Sequence, residues 1–135
     1  MFEFSTKLRV RYGETDQMGY VYYGNYAEFY EVARVEMLRS LGTSYKTMEE
    51  SGIMMPVAEL YCKYLKPALY DQEITIKVSI DEMPRAGMRF KYKLYNETDE
   101  LINTGETLLV FVNMKTNKIC FIPKELAAKL KPYFD

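Results

Sequence analysis

Residues 11–26 read RYGETDQMGYVYYGNY and join two different hydrophobic patterns. Before this stretch apolar residues alternate with polar ones, and after Asn25 they recur at helical spacing as far as Gly42. Asn25 is a favourable N-cap, and Gly42 is a favourable residue just past a helix end. A helix N-terminus presents unpaired N–H groups and a partial positive charge. The stretch therefore predicts a strand, a loop carrying Asp16, and a helix start that can stabilise a developing negative charge.

The residues on either side of the loop carry the two patterns. Residues 4–12 alternate between basic side chains and the apolar Leu8, Val10 and Tyr12, which is typical of a half-buried strand. The helix has a broad apolar face, formed by Tyr26, Phe29, Tyr30, Ala33, Met37 and Leu41. A long helix with this face needs an extended apolar partner. We expect it to lie in the middle of the fold, wrapped by a sheet.

The second half of the chain is mostly strand. We predict strands over residues 53–65, 74–80, 88–94, 101–114 and 119–122, separated by Pro, Gly and Asn turns. The apolar run 108–112 indicates a strand buried on both faces, and Pro123 fits the first position of a C-terminal helix. No repeat or linker interrupts the 135 residues. The pattern predicts one α+β domain, residues 1–135, with a curved antiparallel β-sheet wrapped around one long central α-helix.

Composition excludes several classes of function. A net charge of −1 argues against a general nucleic-acid binder, and no apolar run reaches the length of a membrane span. The N-terminus lacks the order of a signal peptide, so we expect a cytoplasmic protein. Cys62 and Cys120 lie in apolar runs without C-x-x-C spacing and are expected to be buried thiols. The chain has no histidine, which excludes His-based nucleophile activation and leaves a carboxylate as the leading acid–base candidate.

Two sequence motifs identify a family. Residues 12–22 fit Y-x-[DE]-T-D-x-x-G-x-V-Y and are followed by N-Y and E-V-A-R, and residues 64–67 read Y-L-K-P. With these motifs the chain resembles the hotdog-fold thioesterases, and within them the 4-hydroxybenzoyl-CoA thioesterase-like and YbgC-like acyl-CoA thioesterases. The resemblance covers essentially the whole chain in element order. Many YbgC-like members carry a histidine where this chain has Tyr23.

The resemblance implies an acyl-CoA thioesterase, a hydrolase that converts a thioester to a carboxylic acid and free coenzyme A. It implies no metal and no cofactor, because coenzyme A arrives as part of the substrate. In the family the pocket lies at a dimer interface, which implies a homodimer or a dimer of dimers, that is, a homotetramer. An exposed edge strand is the expected seam between subunits.

The resemblance also assigns roles to individual residues. Asp16 is expected to act as nucleophile or general base, and the backbone N–H of Tyr23 to bind the thioester carbonyl. Substrate contacts are expected from the rest of the loop and helix start, namely Gly19, Val21, Tyr22, Asn25 and Tyr26. Arg85 and Arg89, which flank the turn before residue 88, are expected to bind the phosphates of coenzyme A.

Several alternatives remain open from the sequence. Asp16 can merely cap a turn, as loop aspartates often do. Glu31, on the helix, is explained by an i, i+3 ion pair with Arg34, and Glu59 is a reserve carboxylate in a strand. A non-catalytic acyl-thioester-binding protein is the second candidate function. A hotdog dehydratase or hydratase ranks lower, because those relatives usually depend on a histidine.

Overall fold

The computed structural model describes all residues, Met1–Asp135. It contains eight strands and three α-helices. The strands are β1 (Phe2–Arg9), β2 (Ile53–Met54), β3 (Val57–Tyr64), β4 (Glu73–Ile80), β5 (Gly87–Tyr95), β6 (Leu101–Val110), β7 (Val112–Asn113) and β8 (Lys118–Ile119). The helices are α1 (Tyr26–Ser40), α2 (Tyr45–Glu50) and α3 (Lys124–Leu130). None of the three helices is long and apolar enough to cross a bilayer.

The main sheet contains five antiparallel strands in the order β1-β4-β5-β6-β3. Along β4 every second side chain is buried, and β5 repeats this alternation. The buried side chains of these strands join those of α1 in one hydrophobic cluster. A sheet with one apolar face must bury it against another layer. The predicted α+β arrangement of an antiparallel sheet against one long helix is confirmed.

Helix α1 has the predicted boundaries. It follows a 3₁₀ turn at Tyr23–Asn25 and ends two residues before Gly42, whose φ of +81° is readily accessible to glycine. Its fifteen residues span about 22 Å. Asn25 occupies the N-cap position, but its side chain makes no capping hydrogen bond. The sequence signal located the helix start correctly, while the amide of Asn25 is used elsewhere.

The first strand ends earlier than predicted. β1 stops at Arg9, and Tyr12 opens a 3₁₀ turn at Tyr12–Glu14 with its side chain 78% exposed. The assignment of Tyr12 to the buried strand face is therefore wrong. The alternating pattern continued past the point where β1 loses its pairing to β4 at Glu73.

The strand predicted over residues 53–65 is two strands in different sheets. β2 pairs with β7 in a small sheet, whereas β3 pairs with β6 at the edge of the main sheet. Pro56 lies between them, and a proline has no N–H for a sheet ladder. Most side chains on both faces of β3 are exposed, and β3 has no partner on its outer side.

Three predictions about the C-terminal part need correction. Residues 108–112 are not buried on both faces, because burial alternates along β6, and Leu108 and Val110 are only half-buried. The strand predicted over residues 119–122 is limited to Lys118–Ile119. Pro123 is the N-cap of α3 and not its first residue.

Arg34 is the largest departure from the expected helix surface. Its side chain is buried, and its guanidinium donates to the hydroxyl groups of Tyr45 (3.0 Å) and Tyr92 (3.1 Å). Glu31 is exposed and forms no ion pair with Arg34, so the predicted i, i+3 pair is wrong. The tyrosine hydroxyls provide the acceptors that a buried guanidinium needs.

Candidate active site

Asp16 begins a turn of five residues that ends at Tyr20. Its Oδ1 accepts hydrogen bonds from the N–H groups of Met18 (2.9 Å) and Tyr20 (3.3 Å). The backbone closes the turn, since Asp16 N donates to Tyr20 O at 2.8 Å and Gly19 N donates to Asp16 O at 3.0 Å. Gly19 has a φ of +79°. Asp16 Oδ2 has no hydrogen-bond partner in the chain, and the side chain is half-buried.

The loop between β5 and β6 contains a turn with the same hydrogen bonds. Asn96 Oδ1 accepts from the N–H groups of Thr98 (3.1 Å) and Glu100 (3.0 Å). Asn96 N donates to Glu100 O, Asp99 N donates to Asn96 O, and Asp99 has a positive φ of 59°. One amide oxygen thus holds both backbone N–H groups of this turn, and it also accepts from the Thr98 hydroxyl at 3.0 Å. The turn at Asp16 consequently requires neither a negative charge nor a second oxygen.

A second turn, Tyr23–Asn25, lies directly before α1. The N–H groups of Tyr23 and Gly24 come too early in the turn to have an acceptor within it. Neither donates to a loop carbonyl or a side chain. Both lie at the positive end of the helix. The arrangement can bind a carbonyl oxygen and stabilise the oxyanion that forms from it.

Hydrogen bonds to one carbonyl tie the Tyr23–Asn25 turn to the segment just before Asp16. Glu14 O accepts from Tyr22 N (2.9 Å) and from Asn25 Nδ2 (2.9 Å). The carboxylate of Glu14 is buried and accepts from Arg11 N at 2.7 Å and from the Arg11 guanidinium at 3.3 Å. Glu14 therefore holds the base of the loop, a role that the sequence prediction missed. Its signal was the acidic position two residues before Asp16 in the motif.

Tyrosines surround the turn at the start of α1. The ring of Tyr23 lies 4.6 Å from that of Tyr22 and 6.5 Å from that of Tyr64, measured between centroids. Tyr26 contacts Tyr64 edge-on at 5.1 Å. Tyr22 and Tyr23 are exposed, whereas Tyr26 is 3% exposed. The exposed rings can line an apolar substrate pocket, and the buried ring of Tyr26 belongs to the core.

The remaining loop residues are used by the fold. Val21 is buried, and its N–H donates to Ala68 O at 2.8 Å. The hydroxyl of Tyr26 accepts from Ala68 N at 3.4 Å, and burial raises the pKa of Tyr26. Val21 and Tyr26 thus anchor the loop to the segment before β4. These contacts help to fix the positions of Asp16 and Tyr23.

The structure does not bring Arg85 and Arg89 to Asp16 within one chain. Tyr20 of the Asp16 turn bridges Leu69, just before the start of β4, whereas Arg85 follows the end of β4, a strand of eight residues that spans about 26 Å. Arg85 and Arg89 line a cavity of about 780 Å³ that does not include Asp16. Arg89 pairs with Glu59 (3.8 Å) and Glu106 (3.4 Å), and Arg85 forms no ion pair.

The sheet, the long helix and the carboxylate turn that precedes it define the chain as a hotdog-fold protein. The family model described as Thioesterase-like superfamily matches residues 10–130. The chain therefore belongs to the Thioesterase-like superfamily, and the family resemblance seen in the sequence is confirmed.

Individual relatives support this assignment. The chain is 32% identical over 128 residues to the acyl-CoA thioester hydrolase YbgC of Escherichia coli O6:H1, covering 95% of this chain and 96% of that protein. A crystal structure of a DHNA-CoA thioesterase from Staphylococcus aureus has a TM-score of 0.84 and 37% identity, covering 99% of this chain and 85% of that one. A gentisyl-coenzyme A thioesterase structure has a TM-score of 0.82 and 26% identity, covering 90% and 98%.

Proposed function

We propose that the protein is an acyl-CoA thioesterase that hydrolyses an acyl-CoA to a carboxylic acid and coenzyme A. The observation that carries the proposal is the unpaired Oδ2 of Asp16, on a turn that needs only Oδ1. The names of the relatives, an acyl-CoA thioester hydrolase, a DHNA-CoA thioesterase and a gentisyl-coenzyme A thioesterase, support the same reaction class. The chain supplies a carboxylate and a pair of N–H donors for it.

The reaction assigns different tasks to the two turns. The N–H groups of Tyr23 and Gly24 bind the thioester carbonyl oxygen and stabilise the negative charge that develops on it. Asp16 Oδ2 either attacks the carbonyl carbon or removes a proton from the attacking water. The C–S bond then breaks, and the coenzyme A thiolate leaves and takes up a proton. In the nucleophile route, water hydrolyses the resulting anhydride and restores the carboxylate.

The proposal includes a dimer formed through β3. Glu59 near the start of β3 contacts Arg89 (3.8 Å), and Tyr64 at its end contacts the turn at Tyr23. If the open edges of two copies pair antiparallel, the start of one β3 meets the end of the other. Arg85 and Arg89 of one copy then approach the Tyr23 turn of its partner, where they bind the phosphates of coenzyme A. A homotetramer formed from two such dimers is a further part of the proposal.

Two other features complete the proposal. The reaction needs no metal or cofactor, so dialysis against EDTA should leave the rate unchanged, and a loss restored by a divalent ion would contradict this. Cys62 and Cys120 are free thiols, which suits a cytoplasmic enzyme. Cell fractionation tests the location.

The direct test follows the release of free thiol from a panel of aliphatic and aromatic acyl-CoAs. We expect wild-type protein to release thiol from at least one member and the Asp16→Asn variant to lose most of this activity. Binding without release from any member would instead support a non-catalytic acyl-thioester-binding protein. Release that Asp16→Asn leaves unchanged would move the chemistry to Glu59 or Glu31.

A further inference from the structure

Tyr64, the last residue of β3, reaches across to the carbonyl-binding turn. Its hydroxyl donates a hydrogen bond to the backbone carbonyl of Tyr23 at 3.0 Å. The same carbonyl accepts from the N–H of Tyr26 in the first turn of the helix. The contact joins the edge strand of the sheet to a turn that is distant in sequence, and the turn itself does not require it for closure.

This carbonyl shares a peptide plane with one of the proposed oxyanion donors. In a planar trans peptide, C=O and N–H point in opposite directions. Fixing the direction of Tyr23 C=O therefore fixes the direction of the Gly24 N–H. The preceding peptide is fixed in the same way, because Tyr22 O accepts from Asn25 N at 2.9 Å and thereby sets the Tyr23 N–H.

The surroundings of Tyr64 keep its hydroxyl in this role. The ring packs edge-on against Tyr26 at 5.1 Å and Tyr23 at 6.5 Å, which restricts its rotation. Loss of solvation and the neighbouring Cys62 thiol raise the pKa of Tyr64, so the phenol stays protonated and can donate. An oxyanion donor contributes most when its direction is set before the reaction.

We propose that Tyr64 is a positioning residue whose hydroxyl orients the Tyr23–Gly24 peptide, and with it the Gly24 N–H, toward the thioester carbonyl. The proposal rests on the thioesterase function proposed above. Nothing in the contact requires Tyr64 to touch the substrate. Its effect is expected in the transition state, where the charge on the carbonyl oxygen is largest, and so in kcat more than in KM.

The test compares Tyr64→Phe with Tyr61→Phe. Both substitutions remove one hydroxyl from β3 and keep the ring. Tyr61 lies on the opposite face of the strand, is 60% exposed, and its hydroxyl makes no hydrogen bond in the chain. We expect Tyr64→Phe to lower kcat roughly tenfold with KM within about threefold of wild type, and Tyr61→Phe to change neither. Size-exclusion chromatography should show the same oligomeric state for both variants and wild type.

A second measurement does not depend on activity. In ¹H–¹⁵N spectra the Gly24 amide resonance should move in Tyr64→Phe and stay in place in Tyr61→Phe. A tenfold loss of kcat together with this shift supports the proposal. An unchanged Gly24 resonance, an unchanged kcat, or a rise in KM alone would overturn it. Failure of wild-type protein to release any thiol would overturn the proposed function, while the Gly24 resonance would still decide whether Tyr64 orients the peptide.

Discussion

Two turns of this protein have the same backbone hydrogen bonds but differ in the side-chain atom that the turn does not use. In the turn from residue 96 to residue 100, Asn96 Oδ1 binds the two backbone N–H groups, and its Nδ2 donates to Glu100 at 3.1 Å. In the turn from residue 16 to residue 20, Asp16 Oδ1 binds the equivalent N–H groups, and Oδ2 binds nothing in the chain. The first turn is internally satisfied, whereas the second retains an available carboxylate oxygen.

The comparison separates a structural role from a chemical one at a single residue. A loop aspartate that caps a turn is common and by itself indicates no function. The turn at Asn96 serves as an internal comparison, because an asparagine there makes the same backbone hydrogen bonds. What remains at Asp16 after the turn is accounted for is one oxygen and one negative charge, in the loop that leads into a helix start with unpaired N–H groups.

The largest effects are expected when the side chain that caps each turn is truncated, in two separate variants. Asp16→Ala and Asn96→Ala each remove the acceptor for two backbone N–H groups, so each should lower the free energy of unfolding by about 1–2 kcal/mol. Only Asp16→Ala should also lower kcat, by roughly 10³-fold. Urea unfolding and thiol release measure the two quantities. An equal loss of kcat in Asn96→Ala would show that turn disorder, not the carboxylate, limits the rate.

The anchor of the Asp16 turn should matter next. Asn25→Asp removes the Nδ2 donor and places a carboxylate against Glu14 O, so we expect kcat to fall roughly 10- to 100-fold and stability to fall by about 1–2 kcal/mol. Gln17→Ala, an exposed change in the same loop, is the matched control and should change neither. Full activity in Asn25→Asp would contradict a positioning role for this amide.

The fourth residue of each turn, Gly19 or Asp99, has a positive φ. Substitutions there test whether the two turns have the same backbone conformation. Gly19→Ala adds a Cβ that meets no atom within 4 Å, so its cost is backbone strain alone, about 1–2 kcal/mol. Asp99→Gly removes a side chain from the same conformation and should change stability by no more than about 1 kcal/mol in either direction. Thermal unfolding of both variants checks this. A neutral Gly19→Ala would mean that the two turns differ in solution.

The smallest expected effect is a loss of stability at low pH through Glu100. Lys66, followed by Asn96 and Thr98, lowers the pKa of Glu100 to about 2. A carboxyl with a depressed folded-state pKa stabilises above its unfolded value, about 4.3, and loses that contribution as the pH falls toward 2. Wild type should therefore unfold at a slightly higher temperature than Glu100→Gln at pH 6, and the difference should vanish near pH 2. A difference that is constant with pH would contradict this.

Much of this architecture could be predicted from local patterns. The 3.6-residue spacing and the Asn25 and Gly42 boundaries located α1, and the alternation in residues 74–80 located β4. These signals are local, because burial on one face repeats within a few residues. Local patterns gave wrong predictions in two places. The polar–apolar alternation continued to Tyr12, beyond the last paired residue of β1, and Pro56 divided one apolar run between two sheets.

The site was less accessible from sequence than the fold. The motif predicted roles for Asp16 and Tyr23, but the burial of Arg34 and Glu14 and the contact from Tyr64 depend on residues far apart in the chain. Arg34 carries a charge on an exposed-looking helix position, and only the hydroxyls of Tyr45 and Tyr92 make its burial possible. No spacing rule relates such partners, because tertiary packing brings them together.

The central claim is that the carboxylate of Asp16 serves the chemistry and not the turn. The most direct measurement is kcat for thiol release together with the unfolding midpoint of Asp16→Asn, compared with Asn96→Asp. We predict that Asp16→Asn unfolds within about 0.5 kcal/mol of wild type and loses at least roughly 10²-fold in kcat. Asn96→Asp, which places a second carboxylate against Glu100, should be less stable than wild type but keep full activity. Near-wild-type kcat in a stably folded Asp16→Asn variant would contradict the account.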